Sequence, residues 1–411
     1  SAIAARAKVP IEHPYRAEIE ARRILVRCVI GWECDIPTAE THLANHEVVY
    51  GPLDPRTLRL RRLFARALAH SGKEARAREV MLWALRRSQR VLSDVAPETG
   101  LAYIDMAEIA MLNGDHIFAS GMFGSAIPLI DGYYGENSHA AFRLNYINGL
   151  ERTKFAIEMS GEGNNKEALD TAQKALEKAR SIQRVTFGEG EVWEYRISLA
   201  LGDVSFARRD VRSALRFTRE ALSYASKTLG SQHPFTLEAI EQMGRVMLHI
   251  KEAKNQEKVA NLLNLAREVR RTREDHSTAM IDNTWMLAKA YWGAGNMHQA
   301  RITSAFALRL AREWLWRQAN FSGSGIQTSY GLARMMKLFH ETLLIYRDKP
   351  HLAFDQVLLW QGLGMQIGRG SNRMRVDAEA LIDTDKKGRA LVTSWRQHAS
   401  GEALLVEGAR E

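Results

Sequence analysis

The sequence predicts an all-α protein built from a repeated pair of helices. Three observations carry that prediction: a frame of small residues that recurs along the chain, regular steps between its copies, and similar linkers closing each pair. The frame is clearest from Glu191 to Ala221, which reads as a helix, a polar break at Arg208-Arg209-Asp210, and a second helix. Gly202, Ala214 and Ala221 stand where two antiparallel helices must approach closely, and only small side chains permit that approach.

The same spacing of twelve and then seven residues recurs as Ala65-Ala77-Ala84, Ala107-Ala119-Ala126, Ala156-Ala168-Ala175 and Ala288-Ala300-Ala307. A further copy keeps the first position at Gly244 but carries Gln256 and Leu263 at the others. First positions therefore fall at 65, 107, 156, 202, 244 and 288, with steps of 42, 49, 46, 42 and 44 residues. The longest step predicts a longer helix over about His139 to Ser160. An array of this kind lengthens without a single growing core, so 411 residues do not imply two or three ordinary domains.

In chain order, residues 1–12 read as a tail and Pro14 to Val49 as a helical pair broken near Gly31 to Pro37. That pair lacks the frame, as a terminal capping repeat does. Residues 1–49 thus form a tail and cap, 50–310 a six-repeat array, and 311–411 a C-terminal helical extension or cap. The array opens at Tyr50-Gly51-Pro52-Leu53-Asp54-Pro55, where Gly ends one helix and Pro starts the next. Linkers at 134–138, 187–191, 229–234 and 273–277 repeat that chemistry. After Leu310 the frame loosens into an expected loop at Phe321-Ser322-Gly323-Ser324-Gly325 and helices over about 327–346 and 351–367.

Hydrophobic residues make up 45% and charged residues 26%, as in ordinary globular chains. No apolar run is long enough to span a bilayer, and the start, Ser1 to Pro10, carries no signal-peptide pattern. The sequence opens without an initiator Met, which reads as a trimmed start. Cys28 and Cys34 alone make no disulfide framework, so a reducing cytoplasm is the expected location. The net charge of +9 raises the question of nucleic acid; small basic clusters at Arg86 to Arg90, Arg267 to Arg273 and Arg369 to Arg375 fit solvated helix faces or a phosphate-binding stripe.

The sequence holds no recognisable catalytic or metal motif. None of its 13 His forms a His-Glu-x-x-His pair, and Cys28 and Cys34 lack nearby partners for zinc. Gly362-Leu363-Gly364-Met365-Gln366-Ile367-Gly368 follows no strand and misplaces its third Gly, so helix packing explains it better than a nucleotide loop. Glu162-Gly163-Asn164-Asn165 reads as a helix–helix turn. The expectation is a chain that is not an enzyme and needs no cofactor or metal.

An apolar residue, a small one, and an apolar or aromatic residue three further on recur as Phe64-Ala65 with Leu68, Met243-Gly244 with Met247, and Leu287-Ala288 with Tyr291. That pattern resembles the tetratricopeptide repeat (TPR) signature. The period of about 42 and the linker Leu229-Gly230-x-x-His233-Pro234 are similar to the longer kinesin-light-chain type, over about Tyr50 to Leu310. The resemblance implies a right-handed TPR superhelix, a solenoid of antiparallel helix pairs. The segments Leu358-Leu359-Trp360-Gln361-Gly362-Leu363-Gly364 and Gly388 to Arg396 are similar to the region that joins TPR arrays to caspase-like CHAT protease domains. Such a protease needs a His and a Cys thiolate, and no Cys follows Cys34.

In the family the first helix of each pair lines the concave side, so positions six and three before the small residue, and one and four after it, are expected to face a groove. The first repeat offers Arg59, Arg62 and Arg66, with His70 just beyond, a stripe suited to a carboxylate-rich or phosphate-bearing partner. Later repeats offer Glu108, then Arg196, then Glu241 and Arg245, and finally Trp285, Lys289 and Trp292. Two Trp facing a groove would be binding anchors, or else would pack against the following helices near Trp314 and Trp316. The Asn pair usual in the family is replaced by Leu199-Ala200, Glu241-Gln242 and Trp285-Met286, so the groove chemistry is this chain's own. The leading expectation is a scaffold that captures a protein or peptide ligand. The alternatives are a regulator of a CHAT-type protease in cis or in trans, and a nucleic-acid-binding solenoid; no membrane partner is expected.

Overall fold

The computed structural model describes residues 14–29, 35–71, 73–112, 114–158, 165–188, 192–250, 253–272, 278–321 and 338–346, with isolated positions up to 356. Among the described residues the regular elements are all α-helices. In chain order they are α1 Pro14–Val29, α2 Ile36–Tyr50, α3 Pro55–His70, α4 Glu74–Leu92, α5 Pro97–Leu112, α6 His116–Tyr134 and α7 His139–Glu158. There follow α8 Asn165–Phe187, α9 Val192–Ala207, α10 Val211–Leu229, α11 Pro234–Met247, α12 Ala253–Thr272, α13 Thr278–Gly293 and α14 Met297–Phe321. The chain divides into two compact units, Ser1–Val246 and Met247–Glu411.

In the first unit α3 pairs with α4, α5 with α6, α7 with α8 and α9 with α10. The first helices of these pairs also touch one another in succession, α3 to α5 to α7 to α9. The capping pair α1–α2 packs against α3. Every alanine of the small-residue frame is buried, as are Gln256 and Leu263 of the exceptional copy. Gly202 shows why size matters: a Cβ there would stand 3.2 Å from the Thr218 hydroxyl of α10 and 3.4 Å from the Gln242 side chain of α11. Gly149 of α7 is tighter still, because its Cβ would come within 2.6 Å of Leu176 on α8.

The predicted breaks fall where the chemistry puts them. α9 ends at Ala207, Arg209 takes a left-handed φ of 63°, and Asp210 caps α10 by accepting the Ser213 N–H at 3.0 Å. Asp54 caps α3 in the same way ahead of Pro55, accepting the Arg56 N–H at 2.8 Å. The hydrogen bonds from Arg56 draw the Asp54 carboxyl down to about 2. Gly51, Gly135 and Gly230 end α2, α6 and α10 with φ of 83°, 76° and 86°, a region that favours glycine.

The main core of the first unit runs through α5 to α9 and includes Phe123, Phe142, Leu176, Ile182 and Ile197. Fully burying one such side chain stabilises the fold by about 1.5–3 kcal/mol. In the second unit residues 338–345 form a helix whose Leu338, Phe339, Leu343 and Ile345 share a core with Ile281, Trp285, Leu308 and Leu315 of α13 and α14. They fall within the helix expected over 327–346. The expected helix over 351–367, the segments 358–364 and 388–396, the loop 322–325, the turn 162–164 and the basic cluster 369–375 lie outside the described residues, apart from positions 351, 352 and 356.

Cys28 is buried and disulfide-bonded, and the sequence offers only one other cysteine, Cys34. A disulfide at Cys28 weighs against the cysteine-based expectation of a reducing compartment. Among the described residues no helix is long and apolar enough to cross a membrane.

Candidate binding face

Successive first helices stand side by side in the first unit, so a side chain on one meets the side chain about one period later on the next. The step is visible in the polar contacts. Arg62 Nε lies 3.2 Å from Asp105 Oδ2 and Arg66 Nε lies 2.8 Å from Glu108 Oε2. Tyr195 donates its hydroxyl to Glu238 at 3.2 Å, the Gln242 amide donates to the Leu199 carbonyl at 2.8 Å, and Arg245 reaches Asp203 at 2.7 Å. In each case the partners are 42 or 43 residues apart in sequence.

The end of this face formed by α3, α5 and α7 is a closed ionic network. Helical spacing puts Arg59, Arg62, Arg66 and His70 on one side of α3. Asp105 and Glu108 of α5 stand against them, and Arg143 of α7 closes the far side at 2.5 Å from Asp105 and 2.6 Å from Glu108. His70 Nε2 lies 3.3 Å from Glu108, and Arg62 also donates to the Glu98 carbonyl at 2.6 Å. Burial alone would raise the Glu108 carboxyl, but Arg66, His70 and Arg143 hold it well below its ordinary range. Burial would likewise lower Arg143, and Asp105 and Glu108 raise it instead. The carboxylate-rich partner expected for the arginine stripe is therefore supplied by the chain itself, at least for Arg62 and Arg66.

The end formed by α7, α9 and α11 has a different chemistry. The Arg196 guanidinium stands among three rings, 5.0 Å from the centre of Phe235, 5.7 Å from Trp193 and 5.8 Å from Tyr146. Trp193 meets Phe142 and Tyr146 edge-on at 5.1 and 5.6 Å. Burial raises the Tyr146 and Tyr195 hydroxyls, so both stay neutral. Among the described residues Arg196 makes no ion pair.

The other expected site residues are distributed between these environments. Arg59 and Arg245 are exposed, whereas Glu241 is buried. In the second unit Trp285 is buried and donates its Nε1–H to Glu341 at 2.9 Å, while Lys289 pairs with the same carboxylate at 2.6 Å. Trp314 packs against that core, so Trp285 follows the packing alternative, and Trp292 remains 40% exposed. Asp105, Arg143, Tyr146 and Trp193 also belong to this face, outside the positions expected from the repeat frame. Arg143 and Tyr146 lie on the first-helix face about two turns ahead of the positions expected to face the groove around Ala156, a signal that a longer α7 makes readable. The basic cluster Arg86, Arg87 and Arg90 shares a cleft of about 370 Å³ with Trp83 on α4, the second helix of its pair and so outside the first-helix row.

No protein-family model matches the sequence, and no curated protein matches it. Solved structures do. A Rap protein complexed with Competence and Sporulation Factor matches 87% of this chain and 88% of its own at 14% identity, with a TM-score of 0.54. Kinesin-light-chain TPR-like repeats from Podosopora anserina match 54% of this chain and 97% of their own at 17% identity, with a TM-score of 0.40. A STAND protein with a tetratricopeptide repeat sensor from Pyrococcus horikoshii matches 78% of this chain and 48% of its own at 16% identity, with a TM-score of 0.44. The fold is a TPR-like helical repeat.

Proposed function

We propose that the chain is a non-catalytic scaffold that captures a peptide or protein segment along the first-helix face of its N-terminal unit. The observation that carries this reading is the mixed chemistry of that face. Arg59 is exposed near one end and Arg245, paired with Asp203, near the other, and between them a ring-lined cation has no carboxylate of its own among the described residues. Rigid helices would present such groups preformed, so affinity would come from a few anchors and from charge matching. The Rap protein of similar fold, complexed with Competence and Sporulation Factor, is consistent with a ligand-capturing role.

Selection from a random octapeptide pool on the immobilised full chain, washed at low and at high salt, tests the reading. Peptides retained at high salt and lost in the double variant Arg59→Glu, Arg245→Glu support it. A wild-type chain that retains no peptide, or retains only a single-stranded oligonucleotide control at low salt, rejects it, because steep salt dependence marks phosphate binding.

A further inference from the structure

We propose that the cleft on α4 holds a short stretch of single-stranded nucleic acid, with one base stacked on Trp83 and neighbouring phosphates on Arg86, Arg87 and Arg90. The site lies on a second helix, outside the first-helix row, so it goes beyond the peptide-capture reading and stands or falls without it.

Helical spacing sets the stripe. Glu79, Leu82, Trp83, Arg86, Arg87 and Arg90 fall at positions i, i+3, i+4, i+7, i+8 and i+11 of α4 and line a cleft of about 370 Å³. The two ends of this helix use their arginines differently. In the first turns Arg76 pairs with Glu40, and Arg78 lies 3.3 Å from Asp115. Toward the C-terminus Arg86 and Arg90 are exposed and meet no carboxylate among the described residues, and Arg87 has the Trp83 ring, 5.5 Å away. The helix macrodipole favours a cation in the last turn, which accounts for Arg90. Arg86 and Arg87 lie further in, and Arg86 and Arg90, four residues apart, repel each other. An incoming polyanion relieves that repulsion.

Trp83 supplies the other half of the recognition. Its ring is half-buried, and Arg61, itself paired with Glu47, stands 4.1 Å from the ring centre and holds it in place. Bases of any sequence stack on such a ring while cations beside it track the phosphates. Along the helix axis Arg86 and Arg87 lie about 5 and 6 Å beyond Trp83, and Arg90 about 10 Å beyond it, so the cations continue away from the ring as a strand's backbone does. Glu79 lies one turn to the other side, and its carboxylate keeps the phosphates at the arginine end. A duplex does not suit the site, because its base faces are already stacked on one another. The phosphates of a free nucleotide are best held by unpaired backbone N–H groups, and the middle of a helix offers none.

The test is fluorescence anisotropy on the full chain with a labelled, mixed-sequence single-stranded dodecanucleotide. Three neutralised phosphates predict that affinity falls about twentyfold between about 50 and about 200 mM salt. Arg86→Gln with Arg90→Gln should flatten that dependence to about threefold. An equal loss of charge at two exposed arginines of α10, Arg212→Gln with Arg219→Gln, should leave it unchanged. Trp83→Leu should weaken binding at least about fivefold with the salt dependence kept, and Trp83→Phe should restore most of the loss. Arg86 and Arg90 are exposed and their replacement spares the packing, so a Trp83 variant that fails to fold does not rescue the proposal. No binding at low salt, equal affinity for the duplex of the same sequence, displacement by an equal concentration of a mononucleotide, or equal weakening by the α10 variants overturns it. None of these outcomes bears on peptide capture.

Discussion

The two ends of the first-helix face in the N-terminal unit carry similar residue types and use them differently. At α3–α5–α7, three arginines share two carboxylates on the neighbouring helix in a buried network. At α7–α9–α11, an arginine meets aromatic rings, and no carboxylate pairs with it among the described residues. The first arrangement fixes the register of adjacent repeats. The second leaves binding capacity open. A charged residue on a repeat protein's inner helices therefore has two uses, and the residue one period away decides between them.

The largest expected effect comes from opening the closed network. Glu108→Ala would leave Arg62, Arg66 and Arg143 around the single carboxylate of Asp105, and breaking a buried pair in this way costs about 3–5 kcal/mol. Urea unfolding of the first unit should show it, and a loss under about 1 kcal/mol would mean that the network is wet and of little consequence. The same residue predicts an acid limb. Glu108 titrates well below its ordinary 4.5 in the folded chain and near that value when unfolded. The unfolded chain binds the proton more tightly, so this stabilisation is complete above about pH 4.5 and is lost as pH falls toward the folded value. Unfolding midpoints measured from pH 6 to pH 3 should fall less steeply in Glu108→Gln than in wild type.

A smaller effect tests the packing that brings both ends together. Gly149→Ala places a Cβ within 2.6 Å of Leu176, a full clash with a buried side chain. Overpacking of this kind costs about 1–3 kcal/mol, against a gain of about 1 kcal/mol from replacing Gly in a helix. A thermal unfolding midpoint below wild type is expected; an unchanged or higher one would show that α7 and α8 can separate freely.

How far this was legible follows from range. The frame Gly202-Ala214-Ala221 and its copies are readable because helix–helix approach depends on small residues at fixed local spacing, and their burial follows directly. The caps at Asp54 and Asp210 are equally local. Arg62 and Glu108 were readable as first-helix residues, but their mutual use was not, because it depends on which residue stands about 42 positions later. Aligning the repeats would have brought Asp105 beside Arg62 and Glu238 beside Tyr195. Arg143 needed the length of α7, which the 49-residue step announced only indirectly. Trp285 was ambiguous because its cover, residues 338–345, lies beyond the last copy of the frame.

A pair of arginine variants separates the two ends most clearly. Arg196→Gln removes a cation that pairs with no carboxylate among the described residues, so the folded chain loses partly desolvated ring contacts worth about 2 kcal/mol and leaves no buried anion behind. Arg143→Gln removes a cation of similar burial that pairs with both carboxylates, leaving Asp105 to Arg62 and Glu108 to Arg66 and His70, and the loss of two buried ion pairs should cost more than the loss of ring contacts. The two variants change the same side chain to the same replacement on helices that touch. If their unfolding free energies in urea drop equally, Arg196 is structural and the contrast between the ends collapses. If Arg143→Gln alone is severely destabilised, the open end of the face is not needed to hold the fold, and its chemistry is available to a ligand.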